Sequence, residues 1–435
     1  MNWKQFFAWT IVLTLGCTVA GAQGVRIESQ KALDARIPIA VPPFAGATPE
    51  AAPAARLMAE VIAADLDFSG LFRVLPASAY PPGFTAFDPD VNKLDREAWR
   101  GTKAEHLVFG VVRGEGAQLV AQLRLFDLFS KEQVVGQELR VQRDHPRLAA
   151  HRFSEEIIRY LDGTPGIGTS EICFSAGEVG SKEIYVSDYD GANLRQVTDH
   201  NSISIKPKMS PDGNKIAYLS YKDRYCFLYV YDRRTGKSVP LSKEVGLNSA
   251  PAWAPDGKRV AMTLSKDGNM ELYLRDPDGS NLTRLTKNEC GDTQPIFSPD
   301  GSKIAFVSDR GGSPQIYVMP ASGGEARRLS HQGGNSYDPV WSPDGKHIAY
   351  VAEKRGEGLE IYVMDADGGN PRRLTDSHGS NESPTWSPDS RHIMFMSTRA
   401  GRAQLWAVTL ATDEKRRVPN LNLRCEGPSW GPRRR

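Results

Sequence analysis

Three short segments of this 435-residue sequence carry carboxylates at a spacing that could ligate calcium. They share the pattern Asp-x-Asp-Gly and begin at Asp188, Asp276 and Asp365. None continues with the spacing or with the bidentate Glu that a calcium-binding loop requires. Asp and Gly at these offsets are also typical of tight turns between strands. We therefore interpret the three segments as turns, and the sequence predicts no metal site and no cofactor.

The second candidate chemistry is acyl transfer by an activated serine. A nucleophile elbow has the pattern Gly-x-Ser-x-Gly and belongs to a hydrolase sheet. The serines within Gly334–Ser336 and Gly379–Ser380 do not complete that pattern, and no pair of carboxylates indicates another kind of hydrolysis. His106, His145 and His151 are isolated histidines, and such residues are usually structural or lie on the surface. We therefore predict that the protein has no catalytic residues and is not an enzyme.

A third set of mostly polar side chains recurs just before the proline of a repeated Pro-x-aromatic sequence. Such residues could bind a partner protein if the fold brings them to one surface. The set is Ser204, Lys206, Asn248, Ala250, Thr293, Gln294, Tyr337, Asp338, Glu382 and Ser383.

The repeat that carries this set is regular enough to define an architecture. Its clearest copy is Trp341–Gly345, and the leading Met or aromatic residues of successive copies are 44, 44, 44, 45 and 44 residues apart. Each period contains four β-prone segments, and Ser-Pro-Asp-Gly forms the turn after the first. Four strands in each of six periods predict a six-bladed β-propeller. Because the first strand of each blade lines the channel, the residues before the prolines are expected to surround one mouth.

The phase of the repeat predicts how the ring closes. The chain enters the propeller on a second strand at Glu171–Phe174 and leaves on an unpaired first strand at Pro428–Trp430. The last strand is therefore expected to complete the first blade. This would place Cys173 and Cys425 in one blade, which makes them a candidate disulfide. The alternative is that the cysteines are small buried apolar residues.

The N-terminal 22 residues have the features of a cleaved signal peptide. Lys4 precedes an apolar run from Phe6 to Val19, and the small residues Ala20–Ala22 form a cleavage site. The run is short for a transmembrane anchor. We expect export to an oxidising compartment and a mature chain that begins at Gln23.

The region between the signal peptide and the propeller predicts a small α/β domain at 23–162, followed by a linker at 163–170 and the propeller at 171–432. The predicted strands are Arg36–Phe44, Leu107–Val112, Gln118–Asp127 and Val134–Arg143, and the predicted helices are Pro49–Phe68 and Pro146–Leu161. The composition, with 40% hydrophobic and 24% charged residues, is that of an ordinary globular protein. A net charge of +2 argues against nucleic acid as the main partner.

The combination of these features resembles the TolB family of the bacterial Tol-Pal system. The signal peptide, the small α/β domain and six blades occur in the family's order, and Val25–Ile27, Arg36–Phe44 and Val186–Gly191 are similar to family sequences. Leu247 differs, since some relatives have His there. The resemblance implies a monomeric periplasmic scaffold that supports outer-membrane integrity and invagination during cell division.

The resemblance also implies two partners. The propeller mouth would dock the lipoprotein Pal, and the mature N-terminal segment at 23–33 would bind TolA of the inner-membrane complex, with other outer-membrane proteins as further partners. The segment residues that would bind TolA are Gln23, Val25, Arg26, Ile27 and Glu28.

The alternative is a secreted propeller enzyme or a glycan-binding propeller. A glycan-binding channel would be expected to present several aromatic side chains. Tyr337 is the only aromatic residue in the set before the prolines, so the sequence favours protein binding.

Overall fold

The computed structural model describes residues 36–434 except 86, 89, 332–333, 355, 357 and 377–378. The predicted signal peptide and the predicted TolA-binding segment at 23–33 lie outside the described residues. A small α/β unit is followed by six four-stranded sheets, which confirms the predicted fold class. No helix in the described part of the chain has the length and apolar character needed to cross a membrane.

The N-terminal unit is built on a six-stranded mixed sheet. Its strands are β1 (Ile37–Ala40), β2 (Ala45–Gly46), β3 (Phe72–Val74), β4 (His106–Glu115), β5 (Gln118–Asp127) and β6 (Glu132–Gln142). The order is β3-β1-β4-β5-β6, with β2 paired to β4. Its helices are α1 (Ala52–Phe68), α2 (Arg96–Arg100) and α3 (Pro146–Asp162), with two single-turn 3₁₀ segments at Ala77–Ala79 and Val91–Lys93.

The two long helices cover one face of this sheet. Met58 and Ile62 of α1 and Phe153 of α3 are fully buried in the same apolar cluster as strand residues. Their three- and four-residue spacing is what predicted both helices. A second cluster, which includes Phe87 and Trp99, packs on the other face of the sheet. Strand β3 and helix α2 were missed because three and five residues are too few to show a periodicity.

Six blades of four antiparallel strands form the propeller. Blade 1 contains β7 (Ser170–Glu178), β8 (Ser181–Asp188) and β9 (Arg195–Gln196). Blade 2 contains β10 (Ser204–Met209), β11 (Lys215–Asp223), β12 (Tyr225–Asp232) and β13 (Lys237–Ser242), and blade 3 contains β14 (Asn248–Trp253), β15 (Val260–Leu264), β16 (Glu271–Arg275) and β17 (Thr283–Arg284). Blade 4 contains β18 (Asp292–Phe297), β19 (Lys303–Ser308), β20 (Gln315–Pro320) and β21 (Arg327–Arg328). Blade 5 contains β22 (Ser336–Trp341), β23 (His347–Lys354), β24 (Gly358–Asp365) and β25 (Arg372–Arg373). Blade 6 contains β26 (Asn381–Trp386), β27 (His392–Ser397), β28 (Gln404–Thr409) and β29 (Lys415–Arg417), and β30 (Cys425–Arg433) completes blade 1.

The Ser-Pro-Asp-Gly sequence fixes the turn between the first two strands of a blade. In blade 5 the Ser342 hydroxyl donates to Asp344 Oδ1 at 2.6 Å and accepts the backbone N–H of His347 at 2.9 Å. Gly345 closes the turn at φ +72°, where a side chain would be strained. The repeated motif therefore sets blade geometry, and its polar atoms are occupied within the turn.

Ring closure follows the predicted route, but the predicted disulfide is wrong. Strand β30 pairs antiparallel with β7, with Cys425 opposite Ala176 and Ser429 opposite Cys173. This register places the two cysteines on opposite faces of blade 1, since successive side chains of a strand alternate between faces. Cys173 packs towards blade 2 and Cys425 towards blade 6. Both are buried free thiols.

The N-terminal unit rests on blades 1 and 6 through the C-terminal end of α1. The Phe68 ring contacts Tyr189 of blade 1 and His392 of blade 6 in tilted arrangements, with ring centroids 5.3 Å and 4.6 Å apart. The buried carboxylate of Asp65 accepts a hydrogen bond from the Tyr189 hydroxyl at 2.7 Å and pairs with His151 Nδ1 at 2.8 Å. These contacts join the two units through buried groups.

His392 occupies a repeated position that, among blades 2 to 6, is buried only in the blade where Phe68 covers it. The corresponding residue after the turn is Lys215, Arg259, Lys303 and His347 in blades 2 to 5, and none of these is fully buried. In blade 6 Phe68 covers the position, and His392 is 0% exposed. Burial lowers the pKa of His392 to about 4. The imidazole is therefore neutral in the folded protein at pH values where a solvated histidine is charged.

The first prediction is an acid dependence of stability that His392 causes. Its pKa is near 6.5 when unfolded and about 4 when folded, so the unfolded chain binds the proton first as pH falls. The free energy of unfolding should fall between pH 6.5 and pH 4, by up to about 3 kcal/mol from this residue, and His392→Phe should remove that part of the slope. Urea unfolding at pH 7, 5.5 and 4 measures it, with His347→Phe at the corresponding site as the control. Equal slopes in His392→Phe and the wild type would contradict the assignment.

Candidate functional site

The innermost strands of the six blades give the channel mouth a repeated layout. The first residue of each is buried, and in several blades its side chain holds a neighbouring loop. Asn248 accepts from the Ser242 hydroxyl at 2.7 Å and donates to the Glu244 carbonyl at 2.8 Å. Asp292 is paired with Arg310 at 2.9 Å and 3.0 Å. Ser204 and Asn248, which the sequence assigned to the docking surface, therefore lie beneath it and position the loops.

The second residue of each strand lies at the edge of the mouth. Thr293, Tyr337 and Glu382 from the predicted set are each half-buried. Glu382 is held by the Ser380 hydroxyl. These three side chains have accessible surface on the face that the loops form.

The third residue, just before the proline, has the same unusual backbone conformation in all six blades. The φ angles are +51° at Lys206, +50° at Ala250, +52° at Gln294, +46° at Asp338, +55° at Ser383 and +56° at Gly427. Non-glycine residues rarely adopt positive φ, and such residues persist where the surrounding structure holds them. In each blade the strand pairing shifts register at this point. The bulge re-aims one residue per blade towards the channel.

These six residues, which we call the rim, surround one cavity. All six line a space of about 60 Å³ at the channel mouth. Across blades 4 and 5 the Gln294 amide donates to the Asp338 carboxylate, and the Asp338 backbone N–H donates to Gln294 Oε1 at 3.0 Å. The structure therefore brings together Lys206, Ala250, Gln294, Asp338 and Ser383 of the predicted set. It adds Gly427. This residue was missed because its copy of the repeat lacks the Ser-Pro-Asp-Gly sequence after Trp430.

The fifth residue of each inner strand faces the channel interior, and sequence reasoning missed this position. It is Lys208, Ala252, Ile296, Val340, Thr385 and Ser429 in the six blades. Lys208 is the one charged residue among them. It lines both the rim cavity and a cavity of about 390 Å³ at the other end of the channel. The sequence does indicate this position, because Lys208 is the single charged residue at the middle of the repeated Pro-x-aromatic motif.

Exposed apolar side chains lie at the same end of blades 2 and 3. Tyr225 is 70% exposed and Val245 is 85% exposed, and Leu247 and Met270 are also exposed. The Leu247 backbone N–H is fixed by the Ser265 hydroxyl at 2.8 Å. Exposed apolar side chains near a polar rim are typical of protein-binding surfaces.

A larger groove lies on the opposite face of the propeller. It measures about 980 Å³ and contains several arginines. The buried Glu171 carboxylate pairs with Arg195 at 2.7 Å, Arg233 at 2.8 Å and Arg434 at 3.4 Å. Because three of these arginines are held by one buried carboxylate of blade 1 and Arg434 follows the closing strand, the groove is better explained as packing around that strand. The rim and its neighbours are the better candidate site.

Comparison with known protein families gives matches over both units. A model of the TolB amino-terminal domain matches residues 25–134, and a model of the TolB beta propeller domain matches residues 159–434.

Individual relatives agree with these domain matches. The Tol-Pal system protein TolB of Ruegeria sp. is 36% identical over 228 residues, which are 51% of this chain and 51% of that protein. The corresponding protein of Methylobacillus flagellatus is 36% identical over 251 residues, which are 57% of this chain and 56% of that protein. The chain thus spans about half the length of the curated relatives it matches. The crystal structure of TolB from Acinetobacter baumannii superposes with a TM-score of 0.81 at 26% identity, covering 91% of this chain and 96% of that chain.

The second prediction concerns the left-handed rim residues. Gly427→Ala should lower the free energy of unfolding by about 1 kcal/mol, because alanine is strained at φ +56°. Ala250→Gly should leave it nearly unchanged, since relief of strain at φ +50° offsets the added freedom of the unfolded chain. Urea unfolding of both variants measures the difference. Equal destabilisation by the two substitutions would show that the rim backbone relaxes.

Proposed function

This chain belongs to the TolB family, and from that premise we propose that it is a non-enzymatic periplasmic scaffold of the Tol-Pal system. The proposed scaffold links Pal at the outer membrane with TolA of the inner-membrane complex. It would thereby support outer-membrane integrity and invagination during cell division. The single observation that carries the proposal is the rim, where six blades each turn one residue of positive φ towards one cavity.

The proposed docking face for Pal comprises the rim and the half-buried residues beside it. Gln294 and Asp338 offer hydrogen-bonding groups that are already fixed by each other. Fixed polar groups reduce the entropy lost on binding and give orientation specificity. The exposed Tyr225 and Val245 supply apolar surface at the same end. A polar rim beside apolar anchors is the usual composition of a protein interface.

The proposed TolA ligand is the segment at 23–33, with Gln23, Val25, Arg26, Ile27 and Glu28 as contact residues. Support for this part is the family membership and the alternating sequence of the segment. Extended peptides of this kind bind by adding a strand or filling a groove. The proposed domain limits are 23–162, 163–170 and 171–432, with a monomeric mature protein.

The third prediction tests the docking face. Thr293→Arg places a long cation at the edge of the mouth and should weaken capture of Pal from solubilised envelope by at least about tenfold. The matched control is Ser322→Arg, an exposed position in the turn at the opposite end of the same blade. The control should capture Pal as the wild type does. Capture that survives Thr293→Arg would place the docking face elsewhere.

The fourth prediction tests the N-terminal segment. Removal of residues 23–33 after the signal peptide should abolish capture of TolA and leave capture of Pal intact, because the proposed docking face for Pal contains none of these residues. Pull-downs of both partners from one envelope preparation measure this. Undiminished TolA binding by the shortened chain would assign that role to another part of the protein.

A further inference from the structure

The side chain of Lys208 places a positive charge inside the propeller channel. It lies between the rim cavity and the cavity at the other end, and its neighbours at the same depth are apolar or hydroxyl-bearing. Among the residues that the structure describes, none donates to, accepts from or forms an ion pair with this ammonium group. Lys206 adds a second cation at the rim, two residues away along the same strand.

No carboxylate of the described residues forms an ion pair with the Lys208 ammonium. Asp338 is the acidic group that acts on it, and the Asp338 carboxylate already accepts a hydrogen bond from Gln294. Burial lowers the pKa of Lys208, and Asp338 offsets this only in part. A partly desolvated ammonium without a close counter-charge costs stability. Groups that lower the stability of the fold and form no stabilising contact are typical of functional sites.

We propose that the channel mouth contains a carboxylate-binding subsite, in which the Lys208 ammonium receives an acidic side chain of the protein that docks on the rim. The inference rests on the proposed docking function and specifies the chemistry of its partner. A carboxylate is the group that pairs with an ammonium at short range. The cavity of about 60 Å³ has room for a small polar group of this kind.

The rim favours a side chain of a docked protein over a free ion. The cavity opens on the face that carries the exposed apolar side chains, so a protein seated there would cover it. Covering the mouth excludes water, which strengthens a charge pair inside it. Lys206 would attract an acidic residue during approach.

The fifth prediction is a specific loss of affinity. With the full mature chain and the soluble domain of Pal from the same organism as the probe, Lys208→Met should weaken binding about tenfold to a hundredfold. Lys208→Arg, which keeps the charge, should retain part of the affinity. Lys258→Met is the matched control, because Lys258 is an exposed lysine at the opposite end of blade 3. The unfolding midpoint of Lys208→Met should stay level or rise, since the substitution removes a confined charge.

A double-mutant cycle identifies the proposed pair. Each acidic residue of the Pal domain is changed to its amide, and one such change should weaken binding to the wild type but not to Lys208→Met. Absence of coupling with every acidic residue would overturn the subsite. If acetate alone stabilised the wild type but not Lys208→Met, and no Pal residue were coupled, a free small anion would replace the proposed occupant.

Thr293→Arg separates this inference from the function on which it rests. If Thr293→Arg abolishes docking and Lys208→Met binds like the wild type, the subsite is wrong and the docking face stands. If Thr293→Arg has no effect, the docking face itself is wrong.

Discussion

Pairing of β30 with β7 is the interaction on which the rest of the structure depends. It completes blade 1 with the last strand of the chain and closes the ring, so that six inner strands surround one channel. The same pairing places Trp430 against Tyr189 and His392, where the N-terminal unit rests. Arg433 then reaches back to the carbonyls of Pro165 and Gly166. One antiparallel pair therefore positions both the candidate site and the contact between the two units.

Within this ring, the repeated residues and the functional residues are different residues. Ser342 and Asp344 satisfy each other in the turn and have little left to offer a ligand. The differences between blades occur where the backbone turns towards the channel, at the rim and at the interior position of Lys208. The backbone conformation at the rim is the same in all six blades, whereas the side chain at that position differs from blade to blade. This is how a regular fold produces an asymmetric surface.

The sequence predicted the features that depend on period and composition. The number of blades, the closing strand, both long helices and the convergence of residues before the prolines all follow from spacing. Features that depend on register did not follow, because one residue of slip exchanges the two faces of a strand. This is why Cys173 and Cys425 were considered a candidate disulfide although they face different blades. It is also why the buried Ser204 and Asn248 were assigned to the surface. His392 could not be predicted to be buried, because the residues that cover it, Phe68 and Trp430, are distant in the sequence.

The treatment of charge elsewhere in the chain supports the assignment of Lys208. The buried carboxylates of Asp65, Glu171, Asp292 and Glu360 each have a cationic or histidine partner within hydrogen-bonding distance. The fold therefore has the means to neutralise a charge that it buries. In the channel, Asp338 is the carboxylate that acts on Lys208, and it accepts a hydrogen bond from Gln294. It forms no ion pair with the Lys208 ammonium. An ammonium without a close counter-charge at the mouth of a closed ring, in a protein that gives these four buried carboxylates close partners, is best explained by a counter-charge that arrives from outside.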